Sequence, residues 1–372
     1  MHIDAIEVFH VALPLRRPLA PPWEQQKSLE SVLVRMRSGG VVGWGEASPG
    51  SAPVAAAEWA GGVFLCVKDW LAPRLVGTSI DSGQDLQQRL APVRGNWFAK
   101  AALDTAWWDL HSRLQGKPLG GLLAPARDAI DVGTSFDRME SIDHLLDAMG
   151  LALEAGFARI ELKFRPGWDI PMINAVRHQF PVARVHIDVE GTMRLDHMEM
   201  LCRLDDFHLE MIEQPLPADD LVGHAMVQET IRTPLCLDEC VSTLEQAEMA
   251  LELHSARYVN VKPGRVGGLT PAIAIHDACQ EASVACWVGL TPHSAIGTRI
   301  ALALAARANF LYPADWFPSD QFLEADLAAP PPLVRDPADG NLRVPLWEDP
   351  GIGVEPDIRQ LDAFSLARAA LP

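Results

Sequence analysis

The chain has 372 residues, room for a full α/β barrel plus a smaller domain, and its 48% hydrophobic and 22% charged content is that of an ordinary soluble protein. Its 31 basic and 49 acidic residues give a formal net charge of −18, which argues against nucleic acid and anionic membranes as partners. An anionic small molecule is still allowed, because a bound metal and nearby lysines reverse the sign locally.

The first residues, Met1-His-Ile-Asp-Ala-Ile-Glu-Val8, carry acidic groups where a signal peptide needs basic ones. No apolar run reaches membrane-spanning length, so a cytoplasmic location is expected. Residues 3–13 and Leu29–Arg37 alternate as strands, Gly39-Gly40 turns, and Val41–Glu46 returns, which predicts an antiparallel meander. From about 52 to 116 the pattern is helical, clearest over Ala99–Leu114 and stopped by Gly116 and Pro118. Strands followed by helices predict a small α+β domain ending near the Gly- and Pro-bearing stretch 120–127.

Beyond it strand and helix alternate. Strands are expected near 129–136, 159–164, 184–189, 209–213, 234–238, 257–262, 284–288 and 309–312, with helices such as Ile142–Glu154 and Leu244–Leu253 between them. Such alternation predicts a (β/α) barrel with its chemistry on the C-terminal loops. Ile300–Ala308 reads either as a barrel helix or as an interface. Residues 328–345, rich in Pro, Asp and Gly, read as an irregular segment leaving the barrel toward the first domain. The expected organisation is a capping domain over 1–125, a TIM-like (β/α)7β barrel over 126–327, and a returning segment over 328–372. The six cysteines show no CxxC spacing and are all expected to be free thiols packed in the core, Cys236, Cys279 and Cys286 most clearly.

Within the barrel region, carboxylates recur on an even beat. Asp188, Glu213 and Asp238 follow one another at 25-residue intervals, each closing a short apolar run. A strand-helix unit takes about that length, since eight units fill roughly 250 residues. Successive strands would then deliver one carboxylate each to one rim. Three hard oxygen ligands suit Mg²⁺, with Mn²⁺ as a substitute. The beat continues outward: Lys163 lies 25 residues before Asp188 and Lys262 lies 24 after Asp238. A proton α to a carboxylate is weakly acidic, and its removal leaves an enediolate that a metal can stabilise. Two lysines on opposite sides of the metal can take and return that proton, and a nearby cation lowers a lysine's affinity for it.

The segments Glu161-Leu-Lys163-Phe-Arg-Pro-Gly-Trp-Asp169, Ile212-Glu213-Gln-Pro-Leu216, Leu237-Asp238-Glu239 and Val261-Lys262-Pro-Gly-Arg-Val-Gly-Gly268 resemble the enolase superfamily, muconate-lactonizing subgroup. Within it the chain is most similar to the branch holding o-succinylbenzoate synthases and N-acylamino acid racemases. Arg94–Ala102 and Trp107–Leu110 extend the resemblance into the first domain. It implies Mg²⁺ on Asp188, Glu213 and Asp238, Lys163 and Lys262 as the acid/base pair, and Glu239 orienting a ligand or lysine from behind. Gly264, Gly267 and Gly268 read as either a tight turn beside Lys262 or plain loop flexibility.

Four positions depart from the family pattern. Glu161 stands where the family has a lysine; residues i and i+2 share a strand face, so it should lie just beneath Lys163 and raise that lysine's pKa. Val189-Glu190-Gly191 replaces Ala-Asn and adds Glu190 near the metal. In Gly289-Leu-Thr-Pro-His-Ser-Ala-Ile-Gly297, His293 takes the place of a glutamate and becomes a third acid/base candidate. The loop Leu19-Ala-Pro-Pro-Trp-Glu24 lacks the usual mobile-loop composition. The resemblance thus implies a Mg²⁺-dependent lyase or isomerase acting on a small carboxylate, in a homo-oligomer. A muconate-type cycloisomerase or a dipeptide epimerase is the alternative, and a barrel that binds metal and carboxylate without catalysis is the rival from another class.

Overall fold

The computed structural model describes residues 1–17, 19 and 26–372; the expectation for the loop 19–24 lies almost wholly outside them. The meander forms as β1 (Ala5–Pro14), β2 (Ser28–Ser38) and β3 (Val41–Ala47), paired antiparallel in chain order. The helix Trp97–Leu114 lies on this sheet and is buried along most of its length. Close approach is possible because β3 offers glycines: a Cβ on Gly43 would sit 2.3 Å from the Leu110 nitrogen, and one on Gly45 2.3 Å from the Ala102 carbonyl. Either side chain would force helix and sheet apart.

Seven parallel strands follow, each adding to its predecessor: β4 (Ala129–Phe136), β5 (Ile160–Lys163), β6 (Val185–Asp188), β7 (Ile212–Glu213), β8 (Leu235–Leu237), β9 (Tyr258–Asn260) and β10 (Ala285–Trp287). The eighth stave closes the barrel in two pieces. Phe310 bridges Cys286 on β10, and β11 (Ala314–Asp315) pairs with β4. The expected strand 309–312 is therefore displaced toward the C-terminus, interrupted by Pro313, which has no N–H to donate to a ladder. Ile300–Ala308 belongs mostly to a barrel helix, Ala295–Ala305, buried throughout.

The segment expected to be irregular after the barrel is partly ordered. β12 (Val334–Arg335) and β13 (Leu342–Pro345) form an antiparallel pair, and β13 docks antiparallel on β4. The chain then returns to the first sheet, where β14 (Ser365–Leu371) pairs antiparallel with β1. The two regions are also pinned by side chains. Glu46 on β3 accepts hydrogen bonds from the Ser294 and Gly297 backbone N–H groups (3.1 and 2.8 Å), capping the helix Ala295–Ala305. Asp104 accepts from the Thr270 N–H at 3.0 Å.

All six cysteines are free, and Cys236, Cys240, Cys279 and Cys286 are buried. Cys202 is exposed and Cys66 half-buried, so the expectation of six core thiols holds for four. Among the described residues no helix is long and apolar enough to cross a membrane.

Candidate active site

The beat resolves into adjacent staves. Lys163 ends β5 beside Asp188 at the end of β6, and Asp188 is in register with Glu213 at the end of β7. Asp238 follows β8 and Lys262 follows β9 by two residues. Five consecutive staves thus carry Lys, Asp, Glu, Asp and Lys. With eight staves in the ring, β5 and β9 stand opposite each other, so the lysines flank the carboxylates from two sides.

Asp188, Glu213 and Asp238 are all buried. Lys163 Nζ donates to Asp188 Oδ2 at 2.6 Å, and Lys262 Nζ donates to Asp238 Oδ2 at 2.7 Å. Arg265 pairs with the other oxygen of Asp238. Glu213, between them, has no lysine; Asn260 Nδ2 donates to its Oε1 at 2.7 Å, and its buried Oε2 has no hydrogen-bond partner. Burial pushes the Asp188 carboxyl up to about 8; Lys163 opposes this, and Glu213, Glu161 and Glu190 reinforce it. Burial, then Asp238 and Glu161, lift Glu213 well above the carboxylate range. For Asp238, burial is outweighed by Arg265 and Lys262, and its pKa falls. Glu239 Oε2 is enclosed without a partner, and burial together with Asp238 and Asp188 raises Glu239 to about 7. Buried acids repelling one another around unpaired oxygens are the surroundings a divalent cation neutralises.

The lysines are held charged. Burial disfavours the Lys163 ammonium, but Asp188, Glu161, Glu190 and Glu213 together raise its pKa well above the usual range. Lys262 is raised as well: Asp238 outweighs burial and Arg265. Glu161 lies beneath Lys163, with Oε1 3.0 Å from Nζ. It has a second cation that the sequence pattern left unnamed: Arg159 Nη1 donates to Glu161 Oε2 at 3.3 Å. Burial opposes ionisation of Glu161, yet Lys163, His186 and Arg159 hold it well below the carboxylate range. Glu190 lies 3.2 Å from Lys163 and 3.1 Å from Arg165. Its φ of 53° lies in the left-handed region, and its N–H donates to Asp188 Oδ1 at 2.9 Å.

His293 is buried, but its contacts run to Thr291 and toward Glu46 rather than to either lysine. A Cβ on Gly297 would stand 2.3 Å from its ring and 3.0 Å from Glu46 Oε2. The turn after Lys262 is tight: Pro263–Val266 makes one helical turn, and Gly267 and Gly268 have φ of 95° and 122°. Gly289 brings backbone against the lysine, since its Cβ would lie 2.7 Å from Lys262 Cε.

Arg159, His186, Gln214, Asn260 and Arg265 escaped sequence reasoning. Three of them had a signal. His186 and Asn260 stand two residues before Asp188 and Lys262, as Glu161 stands before Lys163, which puts them on the same strand face one layer deeper. Arg159 lies a further two residues back. Gln214 accepts from the Asp238 and Cys240 N–H groups (2.9 and 3.3 Å) through an unusual positive φ, which nothing local announces.

Both regions of the chain match known protein families. Residues 4–124 match the mandelate racemase / muconate lactonizing enzyme N-terminal domain, and residues 144–361 the enolase C-terminal domain-like family. The chain is 35% identical to an o-succinylbenzoate synthase of Geobacillus kaustophilus, covering 98% of this chain and 96% of that protein. It is 34% identical to an N-succinylamino acid racemase of Thermus thermophilus, covering 95% of each. A crystal structure of an enolase superfamily member from Listeria innocua superposes with a TM-score of 0.94 at 28% identity, over 100% of this chain and 99% of that one.

Proposed function

This chain belongs to the mandelate racemase / muconate lactonizing enzyme family of the enolase superfamily, and from that premise we propose that it removes a proton α to a substrate carboxylate. Two outcomes fit the same step: dehydration yielding o-succinylbenzoate, or reprotonation racemising an N-succinylamino acid. The observation that carries the reading is the pair of lysines on opposite staves with three buried carboxylates between them.

In this reading Asp188, Glu213 and Asp238 hold Mg²⁺, the ion their all-oxygen donor set suits. Its positive charge would face the oxyanion that develops on the substrate carboxylate. With its carboxylates so engaged, Lys163 loses part of the field that keeps it charged and accepts a proton at Nζ. Lys262 faces the other side of the reacting carbon. It returns a proton there in racemisation; in dehydration it stays an ammonium, and the proton taken by Lys163 goes to the departing hydroxyl, which leaves as water. Arg265 keeps Asp238 ionised, and Asn260 fixes Glu213 Oε1, so both act on ligand orientation. Residues 1–125, with β14 (Ser365–Leu371) added to their sheet, form the cap that closes the barrel mouth over the substrate, while β12 and β13 stay with the barrel at the start of β4.

Solvent deuterium exchange tests the reading. With Mg²⁺ present, either α-deuterium should enter N-succinylamino acids or the dehydration substrate should be converted to o-succinylbenzoate, while muconate-type diacids and an Ala-Glu dipeptide are left unchanged. Lys163→Ala and Lys262→Ala should each abolish turnover. Absence of both exchange and dehydration with every acid tested would leave the chain as a binding barrel and sink the proposal.

A further inference from the structure

Beneath the carboxylate rim, the barrel interior is polar where a packed apolar layer is the norm. The three donors that lie within 4.8 Å of one another there are those of Glu161, His186 and Glu213, all buried. We propose that these three residues form a nitrogen-containing cation site, one layer below the rim and sharing Glu213 with it, that favours Mn²⁺, Co²⁺ or Zn²⁺ over Mg²⁺.

The first support is spacing. His186 Nε2 lies 3.3 Å from Glu213 Oε2 and 3.6 Å from Glu161 Oε2. Two ligands at about 2.1 Å from one ion, near the tetrahedral angle, stand roughly 3.4 Å apart. The second is the state of the donors. His186 Nε2 and Glu213 Oε2 are enclosed without a hydrogen-bond partner, although the ring has no exposed surface and Glu213 almost none. With Nε2 unprotonated both atoms are acceptors and cannot satisfy each other, whereas a shared cation satisfies both.

The third is the other face of the imidazole. Nδ1 lies 2.9 Å from the Tyr312 hydroxyl. A ligating histidine ordinarily commits its second nitrogen in this way; with Nδ1–H donating to the Tyr312 oxygen, Nε2 turns its lone pair inward. Tyr312 and Trp287 pack edge-on against the ring and hold its plane. The fourth is charge. Lys163 and Arg159 are the cations in contact with Glu161, and each is also claimed elsewhere, Lys163 by Asp188 and Glu190 and Arg159 by Asp315. Carboxylates therefore remain in excess around His186. An imidazole ligand prefers the softer transition ions, which sets this site apart from an all-oxygen one.

Pulsed EPR of the Mn²⁺-loaded full chain tests the assignment without relying on turnover. After chelator treatment and reloading, the Mn²⁺ signal should carry ¹⁴N modulation from one directly bound imidazole. The modulation should change to the ¹⁵N pattern when histidine is labelled, and vanish in His186→Gln. Competitive titration should give wild type an Mn²⁺-over-Mg²⁺ preference at least about tenfold greater than that of His186→Gln. Bound Mn²⁺ without nitrogen modulation overturns the proposal, as does modulation that survives His186→Gln, or failure to bind Mn²⁺ at all. Should His186→Gln not fold, the ¹⁴N/¹⁵N comparison on wild type decides alone. Mg²⁺-supported α-deuterium exchange without nitrogen coordination would refute this site and leave the proposed function standing.

Discussion

Reversing the charge at position 161 probes the barrel interior most directly. The sequence pattern suggests that Glu161→Lys should relieve Lys163 and restore an ordinary base. The structure predicts damage instead. Glu161 is buried, 3.0 Å from Lys163, 3.3 Å from Arg159 and 3.6 Å from His186. Two unit charges 4 Å apart interact by about 4 kcal/mol at an effective dielectric of 20. The substitution turns two attractions into repulsions, and removing one partner of a buried pair alone costs about 3–5 kcal/mol. Even after relaxation, a loss on the order of 5 kcal/mol is comparable to the whole stability of many domains. Glu161→Gln should cost less, about 1–3 kcal/mol, because Arg159 keeps Asp315 and Lys163 keeps Asp188.

Urea unfolding followed by tryptophan fluorescence measures all of these. The decisive variant is Arg159→Met/Glu161→Lys. Methionine can follow the channel that Arg159 occupies against Gly133, where a Cβ would stand 2.2 Å from the guanidinium nitrogen. The double variant should recover at least half of what Glu161→Lys loses. If Glu161→Lys unfolds within about 0.5 kcal/mol of wild type, or the double variant is no better than the single, Arg159 is not the partner that matters.

Lys163→Ala and Lys262→Ala should each lower turnover by at least about a thousandfold while Mg²⁺ still raises the thermal midpoint of both; a variant with wild-type turnover would lose its assigned role. Gly289→Ala drives a methyl to 2.7 Å from Lys262 Cε and 2.3 Å from Asn260 Oδ1, so kcat should fall while overpacking costs about 1–3 kcal/mol, read by kinetics and unfolding together. Asp104 is buried, and burial raises its pKa to about 6. The native state then binds more protons than the unfolded chain between the ordinary aspartate pKa and about 6, so this group's contribution falls as pH rises through that window. Wild type should gain on Asp104→Asn as pH drops from 6 to 4, by up to roughly 1.4 kcal/mol per unit, measured by urea midpoints at each pH. Parallel curves would show that Asp104 does not titrate there.

Much of the site was legible because a barrel turns sequence period into position. A repeat near 25 residues places one side chain per stave on a common rim, and the two-residue strand period places Glu161, His186 and Asn260 one layer below. Both periods are local, set by the length of a strand-helix unit and by the pleat, so Lys163, Asp188, Glu213, Asp238 and Lys262 could be read as a ring before any coordinates. What lies across the barrel could not. Arg159 reaches Asp315, 156 residues away, and His186 meets Tyr312 over 126. Those contacts exist only because the displaced eighth stave closes on β4 and carries Tyr312 and Asp315 with it. His293 shows the converse, a residue aligned with the rim by sequence but turned by its loop toward Glu46. Periodicity determines which face and which layer a residue occupies. Only closure of the ring decides which charges meet inside it, because that depends on where a strand ends and how its loop folds back, and neither leaves a repeat in the chain.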